Sequence, residues 1–135
     1  MNELLEAVAE LFEQSENILF ITGAGISADS GLPTYRGQGG IYENQELEDG
    51  MPIEAIMSGP MLEIDPALTW KYIWQKLEMF ADVEPNAAHE LIASLESEQR
   101  QVTVMTQNVD GLHRVAGSSK LIEVHGHIYD IFCPS

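Results

Sequence analysis

Apolar positions recur along the chain with two periods, and each period predicts a different element. In residues 2–14, Leu4, Val8, Leu11 and Phe12 fall at helical spacing, Asn2 can cap the first turn, and Glu3 and Glu6 lie near the positive dipole end, so a packing helix is expected. Ile18, Leu19, Phe20 and Ile21 form instead a continuous β-branched and aromatic run. Such a run marks a strand buried on both faces, and hence a parallel sheet covered by helices. Residues 102–105 and 121–124 predict a second and a third strand, and residues 128–132 a fourth extended segment. A helix is expected over residues 68–80, where Leu68, Trp70, Tyr72, Ile73, Trp74, Leu77 and Phe80 put apolar groups on more than one side; this favours core packing over a peptide groove. Pro85-Asn86 opens a further helix to about residue 98, with Leu91, Ile92 and Leu95 facing inward.

The polar and glycine-rich intervals sharpen this picture. The first strand runs into Gly23-Ala-Gly-Ile-Ser27-Ala28, a G-x-G-x-x-A turn whose small residues allow a tight bend and close approach of a pyrophosphate. A short helix is expected from Ser27 to Gly31. The acidic residue that an ordinary dinucleotide fingerprint places at a strand end about 20 positions later is missing, so any dinucleotide binds in another mode. Residues 32–40 lack periodicity and read as a functional loop. Residues 43–66 are acidic and interrupted by Pro52, Pro60 and Pro66, which predicts short helical turns.

Composition then limits the partners. A chain of 135 residues with 44% hydrophobic content is one domain with a core. Its 22 acidic side chains against six basic ones give a net charge of -16, which repels a nucleic-acid backbone and an anionic membrane surface and favours a basic peptide or cationic side chain. Neither a signal peptide nor a transmembrane helix is expected, and one cysteine excludes an internal disulfide, so a cytoplasmic location is the default.

Candidate chemistry gathers at the carboxyl ends of the strands, the edge where open α/β sheets bind ligands. Thr106-Gln107-Asn108-Val109-Asp110-Gly111-Leu112-His113 clusters donors and acceptors there, although Asn108, Asp110 and Gly111 also suit a simple cap and turn. His125 follows the third strand and suits general acid–base work. Two other constellations compete. His125, His127 and Cys133 could ligate a metal, without a complete paired spacing. Ser27, Asp110 and His125 could form a hydrolase triad, but the G-x-S-x-G elbow lacks its final glycine.

Taken together, Gly23-Ala-Gly-Ile-Ser27, Gly31-Leu-Pro-Thr-Tyr-Arg36, Thr106-Gln-Asn-Val-Asp110 with Gly111-Leu-His113, and His125-Gly126 resemble the sirtuins, the silent-information-regulator family of NAD-dependent protein deacylases. The resemblance spans essentially the whole chain. It implies a Rossmann-like parallel α/β sheet with helices on both faces and an inserted zinc module beginning near residue 132. It also implies transfer of an acyl group from lysine to ADP-ribose with release of nicotinamide. By the same resemblance Gly23, Ala24, Gly25 and Ser27 line the NAD phosphates, and Tyr35 and Arg36 belong to a loop closing over the cofactor. Gln107 and Asn108 hold the nicotinamide ribose, Asp110 the carboxamide, and His125 is the general base, with Asn108 beside it in the catalytic set. Cys133 is a zinc ligand.

Three departures accompany it. Thr34 stands where many members carry Asp. Ile73 and Lys76 align with the Tyr and Arg that bind acidic acyl groups in desuccinylating members, which argues against succinyl specificity and for a deacetylase acting on an acylated lysine peptide. The sequence stops at Cys133-Pro134-Ser135, before the rest of the zinc module and the adenosine-binding half. The expectation is therefore an N-terminal portion of the catalytic domain, inactive alone and prone to self-association, with activity in the complete domain. A non-catalytic NAD or ADP-ribose binding fragment and a mono-ADP-ribosyltransferase are the alternatives.

Overall fold

The structure, a computed structural model, describes residues 2–34 and 50–132. Helix α1 (Asn2–Gln14) leads into strand β1 (Asn17–Thr22) and a 3-10 helix (Ala24–Ser30). Helices α2 (Ile53–Ile56), α3 (Gly59–Ile64), α4 (Pro66–Phe80) and α5 (Ala87–Ser94) precede strand β2 (Gln101–Thr106). The short helix α6 (Leu112–Val115) then returns the chain to strand β3 (Lys120–Glu123). The strands form one parallel sheet in the order β1-β2-β3, with Phe20 opposite Val104 and Val104 opposite Leu121. Parallel neighbours need a crossover, and helices supply each one.

Ile92 of α5 packs on Val102 and Val104, joined by half-buried Phe20, Ile26, Leu95 and Leu121. These side chains alternate along each strand, so the core lies on one sheet face. Phe12 of α1 stacks on Phe20 with ring centroids 5.9 Å apart. Leu19 and Ile21 point the other way and are 55% and 68% exposed. The expected burial of β1 on both faces is therefore corrected: among the described residues only its even-numbered positions are covered. The packing role of α1 is corrected with it, because Leu4, Leu5, Val8 and Leu11 are exposed and Phe12 alone of the predicted stripe is half-buried.

In α4 the outcome is similar. Asp65 caps the helix, accepting the Leu68 N–H at 3.0 Å, and Pro66 opens it. Thr69 anchors the helix by donating to the Ile56 carbonyl at 2.9 Å. That bond fixes the rotation of α4, so Thr69, Tyr72 and Lys76 are buried, while Trp70 and Trp74 face outward. Core packing of the tryptophans does not hold. In α5, Ile92 is buried but Leu91 is exposed, and the helix ends at Ser94 rather than near residue 98. The segment predicted as extended over residues 128–132 is a turn at 128–129 with no regular structure over 130–132, where Ile131 and Phe132 are exposed. No helix among the described residues is long and apolar enough to cross a membrane.

Candidate functional site

All three strands point their carboxyl ends at one edge, where three loops meet. Gly23 leaves β1 in an extended conformation, and the 3-10 helix starts at Ala24, earlier than the expected Ser27, closing on Gly31 at φ 91°. A Cβ placed on Gly23 or Gly25 would meet nothing within 4 Å. The turn therefore presents bare backbone to open space, the condition for close approach of a ligand.

Beneath that space a buried polar cluster joins the first loop to the second. The Ser27 hydroxyl donates to Asp110 Oδ2 at 2.7 Å and accepts from Asn108 Nδ2 at 3.1 Å. Asn108 Nδ2 also donates to the Gly23 carbonyl at 3.1 Å, a partner that only the amide nitrogen can serve. The Asn108 N–H in turn reaches Thr106 Oγ1 at 3.0 Å. Asp110 Oδ1 takes the Leu112 N–H at 3.0 Å and so starts α6. Cap and turn duties thus coexist with a network that crosses between loops. Ala24, Ser27, Asn108 and Asp110 line one open pocket together with the apolar Leu32 and Phe80.

The remaining predicted residues are dispersed. Gln107 is exposed, and its N–H donates to the Thr22 carbonyl at 3.0 Å. His125 is exposed in the turn after β3, next to Val124, whose N–H donates to the Thr106 carbonyl at 3.0 Å. It stands at the same edge but makes no hydrogen bond to Ser27, Asn108 or Asp110. Tyr35, Arg36 and Cys133 lie outside the described residues.

These placements decide between the competing constellations. A triad serine gives its proton to a histidine held by the acid, whereas Ser27 bonds Asp110 directly and His125 stands apart, so the hydrolase arrangement is absent. Among the described residues no three His, Cys, Asp or Glu side chains gather into a metal site.

Two histidines that the sequence reading did not single out as site residues lie directly under the cluster. His113 of α6 is 1% exposed, and its Nε2 bonds Thr22 Oγ1 at 2.9 Å. Its ring meets that of the fully buried His89 edge-on at 4.8 Å. Burial pushes the His113 pKa down to about 4, the neighbouring His89 adds to the shift, and Asp110 opposes it. His89 is lowered too, by burial, against the pull of Asp110. His89 Nδ1 accepts the Asn86 N–H at 3.3 Å, while the Asn86 side chain caps α5 and donates to the Ile26 carbonyl at 2.7 Å and Ser30 Oγ at 3.0 Å. The start of α5 is thereby tied to the glycine turn. A reciprocal cap, Asn at the N-cap with a polar acceptor three residues on, is the signal that marks His89 in the sequence. Lys76 is also buried, its pKa lowered by desolvation and raised in part by Glu54.

A parallel sheet crossed by helices, with a glycine turn and a polar cluster at its carboxyl edge, is the open α/β class of protein, whose ligands sit at that edge. The particular family follows from comparison: a sequence profile of the Sir2 family matches residues 23–135, and the chain belongs to that family. It is 51% identical over 133 residues to "NAD-dependent protein deacylase 2" of Pseudomonas aeruginosa, covering 97% of this chain and 52% of that protein. With the protein of the same name from Pseudomonas syringae pv. tomato it shares 54% over 134 residues, covering 98% of this chain and 53% of the relative. Among solved structures, "Crystal structure of a Sir2 homolog-NAD complex" superposes with a TM-score of 0.73 at 33% identity, over 90% of this chain and 45% of the other. A chain from "Structural Basis for the Mechanism and Regulation of Sir2 Enzymes" gives 0.74 at 37% identity, over 94% and 48%. The chain spans about half the length of the relatives it matches.

Proposed function

We propose that this chain carries the nicotinamide-ribose side of an NAD-dependent protein-lysine deacylase, a deacetylase by acyl preference, whose activity belongs to the complete catalytic domain. The observation that supports it is the Ser27–Asn108–Asp110 cluster, with Ser27 and Asn108 buried, beside open space at Gly23 and Gly25. These residues fit the cofactor. Bare glycine backbone with Ala24 and Ser27 would take the phosphates, Asn108 with Gln107 would take the ribose, and Asp110 the carboxamide.

NAD, when bound, supplies an anomeric carbon with a cationic leaving group. Such chemistry needs positioning and one tunable base more than a protein nucleophile. The rigid cluster provides the positioning, and an exposed His125 is free to accept a proton at an imidazole nitrogen from a ribose hydroxyl. Tyr35 and Arg36 keep the role of a closing loop. The net charge of -16 suits a lysine-bearing partner. Zinc, which the resemblance implies, would take Cys133 as one ligand of about four, and no step is assigned to it.

The test is nicotinamide release by the full-length protein with NAD and an acetyl-lysine peptide. Peptide-dependent release is expected, and His125→Ala should lower it roughly 100- to 10,000-fold while NAD binding persists. Label retained on protein would point to ADP-ribosyl transfer, and binding without turnover to a non-catalytic module. A His125→Ala variant with near-wild-type turnover would remove His125 from the mechanism.

A further inference from the structure

The loop bearing His125 meets the loop bearing Asn108 and Asp110 at a seat made by a glycine and a histidine. Gly111 has φ +74° and is buried, and a Cβ built on it would lie 2.5 Å from His127 Nε2 and 3.0 Å from His127 Cδ2. The imidazole therefore occupies the space that any other residue at 111 would fill. Next to this contact the Ile128 N–H donates to the Val109 carbonyl at 2.9 Å, joining the two loops beyond the strand ends. The same ring packs on Tyr129, with centroids 5.5 Å apart, and the Tyr129 hydroxyl reaches the Leu77 carbonyl of α4 at 3.4 Å. Asp130 Oδ1 stands 3.6 Å from His127 Nδ1, and the Asp130 N–H closes the turn on the His127 carbonyl at 3.0 Å.

We infer that His127 is a positioning residue, its ring seated on Gly111 so that His125 is held in register with the Asn108–Asp110 loop. The inference rests on the proposed role of His125. His125 itself is exposed and makes no hydrogen bond to the cluster, so its distance from a ribose held by Asn108 is set through the neighbouring turn. That turn starts at Gly126, with φ +75°, and has no regular element to stiffen it. A general base must stand within hydrogen-bond reach of the proton it takes, and a displacement of the order of 1 Å costs about 100-fold in rate. The seat is steric rather than ionic, so a flat ring suffices. A methyl group at 127 leaves a gap, and a methyl group at 111 displaces the ring.

The contact is tested first by a double-mutant cycle on thermal unfolding of the full chain, with Gly111→Ala, His127→Ala and the pair. The positive-φ strain of alanine at 111 is common to both arms and cancels. The expected result is that Gly111→Ala lowers the midpoint much less when residue 127 is alanine. Strict additivity would overturn the seat, whatever the protein's activity. Should Gly111→Ala fail to fold, Gly111→Asn tolerates positive φ and serves the same cycle. Amide exchange supplies the second readout. In His127→Ala the Ile128 amide should exchange at least tenfold faster while that of Leu112, held by Asp110, is unchanged; equal acceleration of both would reduce His127 to a general structural role. In the turnover assay His127→Ala should lower kcat about 10- to 100-fold at an unchanged KM for NAD, with His127→Phe restoring the rate. A cycle that couples without any change in kcat keeps the seat but overturns its positioning role. Absence of turnover in every variant and in the parent would speak against the deacylase reading and leave the coupling measurement to decide the contact.

Discussion

Ser27 donates its hydroxyl to the Asp110 carboxylate across 2.7 Å, bridging 83 positions of sequence and locking the glycine turn to the loop after β2. Because Asn108 donates to the same oxygen, Ser27→Ala leaves two polar groups one partner short. A loss of about 2 kcal/mol is expected in urea unfolding, since an unsatisfied buried partner costs more than a hydrogen bond contributes. NAD affinity should fall with it. A change below about 0.5 kcal/mol would show that water replaces the hydroxyl freely.

Gly25→Ala should separate binding from folding. Nothing stands within 4 Å of the new methyl group, and Gly25 lies in the 3-10 helix without positive φ, so stability should hold or rise by up to about 1 kcal/mol. NAD binding, measured by calorimetry, should weaken at least tenfold, because the methyl group enters the space assigned to the phosphates. Unchanged affinity would move the cofactor off this turn.

His113 predicts a pH dependence with a definite sign. Its folded pKa, about 4, lies below the ordinary 6.5, so the unfolded chain binds the extra proton between those values. Stability from this group is present above pH 6.5 and is lost as pH falls from 6.5 towards 4. The shift corresponds to at most about 3 kcal/mol. His89, also lowered by burial, acts with the same sign. Urea midpoints at pH 7 and pH 5 should differ, and His113→Gln should reduce the difference; an equal difference in both proteins would place the titration elsewhere.

Leu19 and Ile21 expose a large apolar surface on β1, a strand with one neighbour among the described residues. Unpaired edges bearing apolar side chains associate. Light scattering of the 135-residue protein should show mass rising with concentration, and Leu19→Thr with Ile21→Thr should suppress it. A monomer at every concentration would show that this face needs no cover.

Signals carried by neighbours in sequence were legible without the structure. Helix α1 has the expected bounds, and the strands lie within a residue or two of the apolar runs, because a local stretch of one period decides its own backbone. The meeting of Gly23, Asn108 and His125 at one sheet edge followed from the strand ends alone. Orientation and partnership did not. The apolar residues of α4 surround the helix, so its pattern holds no single stripe, and the Thr69 bond to Ile56 decided that Trp74 faces solvent and Lys76 the interior. Ser27 carried a ligand reading and a weaker nucleophile reading until Asp110 was found against it. His113 read as one member of a polar cluster until burial was found to depress its basicity and that of His89, and His127 as a metal candidate until its ring was found on Gly111. Period and turn chemistry are properties of adjacent residues, whereas desolvation and long-range hydrogen bonds depend on what the folded chain brings within a few ångströms, and that is set only when all the elements pack together.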